Sequence, residues 1–248
     1  MTLLAVEDLH KSYGGIAALS GCSFSIERPG IYGVIGPNGA GKTTLFDVIT
    51  GHIAPDTGRV LFNDADVTGL TPHKLVGIGV ARTFQECRVF PEMTCLENLL
   101  FAVQRKDMVW TLSRLAMPAR PSSATADEAM RLLNLINLQG YADTQAADLS
   151  YGQRRLLEIV AALMLRPQAL LLDEPASGVN PALLESLAEF IRRMYQDFPM
   201  VFLIVEHNMD FIMRLADDII VMHQGAVLER GAPALIRRSP QVIEAYLG

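Results

Sequence analysis

Two short stretches of this chain carry residue types suited to chemistry on a phosphate group. Gly36-Pro37-Asn38-Gly39-Ala40-Gly41-Lys42-Thr43 fits the pattern G-x-x-x-x-G-K-[ST]. Glycines at these spacings let backbone N–H groups turn inward around phosphate oxygens, and a helix starting at the lysine adds partial positive charge. Lys42 would set a point charge on the β- and γ-phosphates, and the Thr43 hydroxyl could ligate Mg²⁺. Taken alone, the string also fits a glycine turn with a solvated lysine. Its context favours the phosphate loop: 31–35 reads as the strand before it and 44–50 as the helix after it. The second stretch is Leu170-Leu171-Leu172-Asp173-Glu174, an apolar run ending in two adjacent acids. At the carboxyl end of a buried strand, Asp173 could hold Mg²⁺ through water and Glu174 could orient and deprotonate an attacking water. By itself an Asp-Glu pair there fits a solvated strand end. Beside a phosphate loop it supplies the other half of a nucleotide hydrolysis site.

The elements that must position these residues follow from pattern. Short alternating or apolar runs over 3–9, 22–26, 31–35 and 58–62 read as strands, with Pro29-Gly30 and Asn63-Asp64 as turns. From about Thr94 the texture becomes helical. Leu96, Leu99, Leu100 and Val103 recur at helical spacing, and 129–138 repeats it with Met130, Leu133 and Ile136. Between them, 118–126 is rich in Pro, Ser and Ala and reads as a loop. Further on, 169–172 and 201–205 are continuous apolar runs, the signature of strands buried on both faces of a parallel sheet. Pro181 fits the first turn of a helix through about 194, with Asn180 before it as a cap. Ser150 stands as an N-cap to a helix over 151–165. Strand–helix alternation at both ends around a helical block implies an α/β core with a helical insertion.

Composition narrows the classes. The chain has 248 residues, and 21 Lys+Arg against 27 Asp+Glu give a net charge of −6, which disfavours a nucleic-acid binder. No apolar run reaches the roughly 20 residues a spanning helix requires. The N-terminal residues lack the basic-then-apolar pattern of a signal peptide. Cys22, Cys87 and Cys95 form no CxxC pair and fit buried, inert thiols in a reducing compartment. A mean hydropathy of +0.25 is high for a soluble chain and suggests apolar surface covered by a partner.

Several further motifs stand in an order that resembles the ATP-binding cassette (ABC) ATPases across essentially the whole chain. Leu149-Ser150-Tyr151-Gly152-Gln153 is similar to that family's signature motif. Gln85, in Arg82-Thr83-Phe84-Gln85, matches its Q-loop glutamine, and His207, in Val205-Glu206-His207-Asn208, its switch histidine. Tyr13 matches the aromatic residue that stacks on adenine. Singly each has an ordinary structural reading; their joint order carries the resemblance. It implies a P-loop NTPase core with a mainly parallel sheet, an N-terminal antiparallel β subdomain and an inserted α-helical subdomain. The implied lobes are 1–86 with 167–248, and 87–166.

The resemblance also implies roles. ATP would be bound by Tyr13, Gly36, Asn38, Gly39, Ala40, Gly41, Lys42, Thr43 and Thr44, and by Ser150, Gly152 and Gln153 of a second cassette. Thr43, Gln85 and Asp173 would hold Mg²⁺. Glu174 would be the general base, with His207 and Gln85 completing the catalytic group. Partners would be a second ABC ATPase, identical or paralogous, arranged head to tail, transmembrane permease subunits and, indirectly, a substrate-binding protein, with no nucleic acid. The place would be the cytoplasmic face of the inner membrane, peripherally. Asn180 departs from the Asp of many relatives, and Tyr151 from a common glycine. Gly79-Val80-Ala81-Arg82-Thr83-Phe84-Gln85, Glu97-Asn98-Leu99-Leu100 and the C-terminal Val242-Ile243-Glu244-Ala245-Tyr246-Leu247-Gly248 resemble importer subunits for branched-chain amino acids. Urea or amide importers and the ATPase of lipopolysaccharide export remain alternatives, and a soluble ABC ATPase a distant one. Val89-Phe90-Pro91-Glu92-Met93-Thr94 suits either a docking groove for a partner helix or a buried turn. The basic–aromatic stretch 104–126 suits a membrane or permease contact or a mobile surface excursion.

Overall fold

The computed structural model describes residues 2–83, 87–107 and 122–247. In chain order it begins with β1 (Leu4–Tyr13), β2 (Ile16–Ile26) and β3 (Gly30–Ile35), followed by α1 (Lys42–Ile49). Next come β4 (Thr57–Phe62), β5 (Ala65–Asp66), α2 (Pro72–Ile78) and β6 (Val80–Arg82). The helical block is α3 (Cys95–Asp107), α4 (Ser123–Leu135) and α5 (Tyr151–Leu163). The last third holds β7 (Ala169–Asp173), α6 (Pro181–Asp197), β8 (Val201–Val205), α7 (Met209–Leu215), β9 (Asp218–His223) and β10 (Ala226–Gly231), then α8 (Pro233–Ile236) and α9 (Pro240–Leu247).

Two sheets form. β2-β1-β4-β5 is antiparallel throughout. The second runs β10-β9-β3-β8-β7-β6, parallel except for β10 at its edge. The expected apolar strands are indeed buried on both faces: every residue of β3, β7 and β8 is inaccessible. Their alternation divides them between two cores. Ile31, Ile35, Leu170, Leu172, Phe202 and Ile204 face the helices. Tyr32, Val34, Leu171, Leu203 and Val205 face α1 and the antiparallel sheet. Period-2 side-chain direction makes one run serve both layers.

The helical block shares the first of these cores, through Leu99, Leu132, Leu133, Leu157 and Val160. α4 begins earlier than the periodicity predicts. Ser122 caps it by accepting from the Thr125 N–H, so Ser123–Leu135 takes in residues assigned above to a loop. Ser and Ala tolerate a helix start as readily as a turn, which is why composition misread them. Most of the stretch 104–126, including Trp110, lies outside the described residues. α5 carries two buried charges. Arg155, 1% exposed, pairs with Glu158 at 2.7 Å and donates to the Asp173 carbonyl at 2.6 Å. That bond ties the helical block to the end of β7. Cys22 and Cys95 are buried and Cys87 half-buried; burial pushes the Cys22 thiol up to about 12 and the Cys87 thiol to about 11, as inert thiols require.

Arg155→Met removes the cation facing Glu158 and a donor from the strand end. Stability should fall by about 3–5 kcal/mol, read from urea unfolding; a loss under about 1 kcal/mol would contradict this account of the junction.

Candidate functional site

Parallel order brings four strand ends to one edge. In the sequence β3, β8, β7, β6 across the sheet, each carboxyl end hands over to a different predicted segment. β3 leads into the phosphate loop, β8 into Glu206-His207, β7 into Glu174, and β6 into Arg82 and the segment holding Gln85. Residues far apart in the chain meet there because strands at about 4.8 Å spacing are neighbours.

The phosphate loop is shaped by close approach. A Cβ on Gly36 would lie 2.2 Å from the Met222 carbonyl, and one on Gly41 2.3 Å from the Ala18 carbonyl. Gly41 also has φ 96, the left-handed region that L side chains avoid, and it is the N-cap of α1. The loop is therefore wedged between β9 and β2 with its helix N-terminus turned outward. Ala40 is buried beneath it, while Asn38, Gly39 and Thr43 are exposed and Thr44 half-buried. Lys42 Nζ donates to the carbonyls of Gly36 at 2.6 Å and Pro37 at 3.0 Å. Burial pushes its ammonium below the ordinary range, and the Glu174 carboxylate opposes that shift. An ammonium folded onto neutral carbonyls in this way would gain by meeting a phosphate, since charge-assisted hydrogen bonds are the stronger ones.

Glu174 adopts φ 45, left-handed although it is not glycine. Such a backbone costs about 1–3 kcal/mol and persists only where surroundings enforce it. Here its N–H donates to the Val205 carbonyl at 2.9 Å and its carbonyl accepts from Arg155 at 3.2 Å. The result turns the Glu174 carboxylate toward the end of β8, where Oε2 lies 3.5 Å from His207 Nδ1. Asp173 differs sharply. Its side chain is 7% exposed, and Oδ2 accepts from Arg82 at 2.6 Å.

Three charged residues escaped the sequence reading as site residues. Arg82 and Arg155 brace the end of β7 from either side. Glu206, fully buried, accepts backbone N–H groups from Ala176 at 2.7 Å, His207 at 3.1 Å and Asn208 at 3.2 Å. Burial pushes its carboxyl above the usual range, and those N–H donors pull it back. Glu206 thereby pins the backbone that presents His207, and Asn208, not His207, caps α7. The only signal for Glu206 in the sequence is an acid directly after an apolar strand.

The remaining predicted residues belong to other elements. Ser150 caps α5 in a reciprocal box, accepting from the Gln153 N–H at 3.3 Å while Gln153 Oε1 accepts from the Ser150 N–H at 2.9 Å. This leaves a helix N-terminus exposed at Ser150 and Tyr151, with Gly152 half-buried, on a helix packed against α3 and α4. Tyr151 has ordinary helical φ, as its place in the first turn requires. Tyr13, exposed at the end of β1, has Lys11 Nζ 5.7 Å from its ring centre. Phe90 is exposed and meets Phe101 edge to face at 4.7 Å. Its turn is pinned by Asn98, which accepts from the Phe90 N–H and donates to three carbonyls of 90–94. Gln85 lies outside the described residues.

Comparison with known proteins accords with this arrangement. The ABC transporter family pattern matches residues 19–177. The chain is 40% identical over 249 residues to BraF of Pseudomonas aeruginosa, a high-affinity branched-chain amino acid transport ATP-binding protein, covering 99% of this chain and 98% of that one. LivG of Salmonella typhimurium, of the same description, is likewise 40% identical over the same coverage. The ADP conformation of MJ1267, an ATP-binding cassette of an ABC transporter, superposes with a TM-score of 0.87 at 33% identity, covering 100% and 99% of the two chains. With a family match over most of its length and a nucleotide-loop edge built as described, the chain belongs to the ABC transporter family as an ATP-binding subunit.

Proposed function

We propose that this subunit hydrolyses ATP to drive import of branched-chain or hydrophobic amino acids, working head to tail with a second cassette beneath permease subunits. The placing of Glu174 beside His207, at the edge where the phosphate loop opens, carries the hydrolytic reading. Whole-length likeness to BraF and LivG supports the substrate class. Among the described residues no helix is long and apolar enough to cross a membrane, so the transport path would belong to partners, and the chain would sit peripherally at the cytoplasmic face of the inner membrane. The exposed Phe90 turn, held rigid by Asn98, would be part of the face offered to the permease.

In this reading Lys42, the loop N–H groups and the start of α1 hold the β- and γ-phosphates, while Tyr13 stacks on adenine. Glu174 accepts a proton as a water oxygen bonds to the γ-phosphorus. The bond from that phosphorus to the bridging oxygen breaks, leaving ADP and phosphate. His207, opposite the base, fixes the attack geometry. Mg²⁺ fits the donors present: the Thr43 hydroxyl and the Asp173 carboxylate are hard oxygens, and Gln85 would be a third. Among the described residues no three His, Cys, Asp or Glu cluster as a self-sufficient metal cage. Mg²⁺ is ordinarily held through one or two protein groups plus phosphates. When bound, the ion neutralises phosphate charge. We assign 1–86 with 167–248 to the nucleotide lobe and 87–166 to the helical lobe.

The signature segment would act in trans. A helix N-terminus exposed at Ser150 and Tyr151, with Gly152 and Gln153 half-buried behind them, suits the γ-phosphate held by another cassette. ATP then bridges two chains, and hydrolysis loosens them by dividing the charge being clamped.

Glu174→Gln should retain ATP binding, lose at least about 100-fold in turnover and accumulate as an ATP-bound dimer on size exclusion. Turnover at the parent rate would remove Glu174 from its role. Lys42→Ala should raise the ATP dissociation constant about tenfold or more, measured by titration with a fluorescent nucleotide. Unchanged affinity would contradict the loop assignment.

A further inference from the structure

Arg82 closes β6, and its side chain is only 6% exposed. Its planar fork spans two carboxylates. Nη2 donates to Asp173 Oδ2 at 2.6 Å, while Nη1 donates to Asp47 Oδ1 at 2.6 Å and to Thr50 Oγ1 at 3.1 Å. The guanidinium also lies 5.7 Å from the Phe46 ring centre. Phe46, Asp47 and Thr50 belong to α1 and its C-terminal cap, the helix that springs from the phosphate loop. One cation thus bridges the strand that ends in the metal-side carboxylate and the helix that begins at the phosphate loop.

The sharing has a definite sign. A carboxylate with a guanidinium on one oxygen draws a further cation less strongly than a carboxylate without one. The Asp47 carboxylate, on the other arm of the guanidinium, offsets part of the positive potential that Arg82 places on Asp173. Asp47 is 30% exposed, so solvent weakens its claim, while the buried Asp173 feels Arg82 through a poorer screen. We propose that Arg82 is a positioning residue that holds down the pull of Asp173 on a divalent cation, with Asp47 as its counterweight. The inference rests on the assignment of Asp173 to Mg²⁺ made above. An Arg82 that only anchored β6 to α1 would leave metal affinity unmoved.

The test uses the full chain in a Glu174→Gln background, so that nucleotide is not consumed. Affinity for a fluorescent ATP analogue is measured in EDTA and in saturating Mg²⁺, and the ratio of the two is the metal coupling. Normalising in this way cancels effects on nucleotide binding alone. Arg82→Gln should raise the coupling about tenfold, the lower end of the range for groups that support metal ligands, and Asp47→Asn should lower it about threefold, less because Asp47 is partly solvated. Asp173→Asn should bring it close to one. A structural anchor predicts that Arg82→Gln leaves the coupling unchanged or lowers it, and that result overturns the proposal. An Asp47→Asn coupling equal to or above the parent does the same. That arm stands by itself should Arg82→Gln fail to fold, since Asp47 is partly solvated. If Asp173→Asn keeps full coupling, the metal assignment itself falls and this inference with it. If Asp173→Asn loses coupling while the other two variants miss their signs, only the inference about Arg82 falls.

Discussion

A strand buried on both faces can carry charge only where it ends. β3, β7 and β8 have no exposed residue between them, so the charged groups that follow them fall at the sheet's edge. Because β3, β8, β7 and β6 are parallel, they expel their charges to the same edge. The phosphate loop, the acid pair, the histidine and Arg82 are brought together by that restriction. Loops alone would not hold them in register, whereas strand pairing fixes their spacing.

Charge placed at the rim of a core still has to be compensated. Asp173 meets Arg82, the Asp173 and Glu174 carbonyls meet Arg155, and Glu206 takes three backbone N–H groups. Each compensating group comes from a different element: β6, α5, and the segments after β7 and β8. Burial without these partners would cost several kcal/mol per charge. The same contacts also link the helical block, the phosphate-loop helix and the β6 segment to two adjacent residues, Asp173 and Glu174.

What the sequence made legible was local. The phosphate loop is eight consecutive residues with a strand before and a helix after, and its geometry follows from glycines that no other residue could replace at Gly36 and Gly41. β8 was bounded correctly and β7 within one residue, since doubly buried strands are unbroken apolar runs. Ser150 as a cap needed only its neighbours. By contrast, β6 is three residues long and α2 seven, too short for periodicity to show. β1 and β2 reach further than their alternation suggested, closing on each other through Gly14 and Gly15, because exposed strand ends lose the apolar signal. The roles of Arg82, Arg155 and Glu206 were hidden because the contacts that tie them to the end of β7 and the segment after it, Asp173 for both arginines and Ala176 for Glu206, lie 18 to 91 residues away. No spacing rule links a buried cation to a carboxylate in another strand.

In the proposed arrangement the sheet's edge would hold a nucleotide from one side, and the start of α5 of another chain would meet it from the other. The account's central claim is that two copies close around ATP, one supplying Lys42 and the other Ser150. The direct measurement pairs a chain carrying Asn38→Cys with one carrying Ser150→Cys, both free of Cys22, Cys87 and Cys95 and both Glu174→Gln. ATP should produce a disulfide between the two chains that is absent without nucleotide. ATP-bound protein that stays monomeric and forms no bond between chains would contradict it.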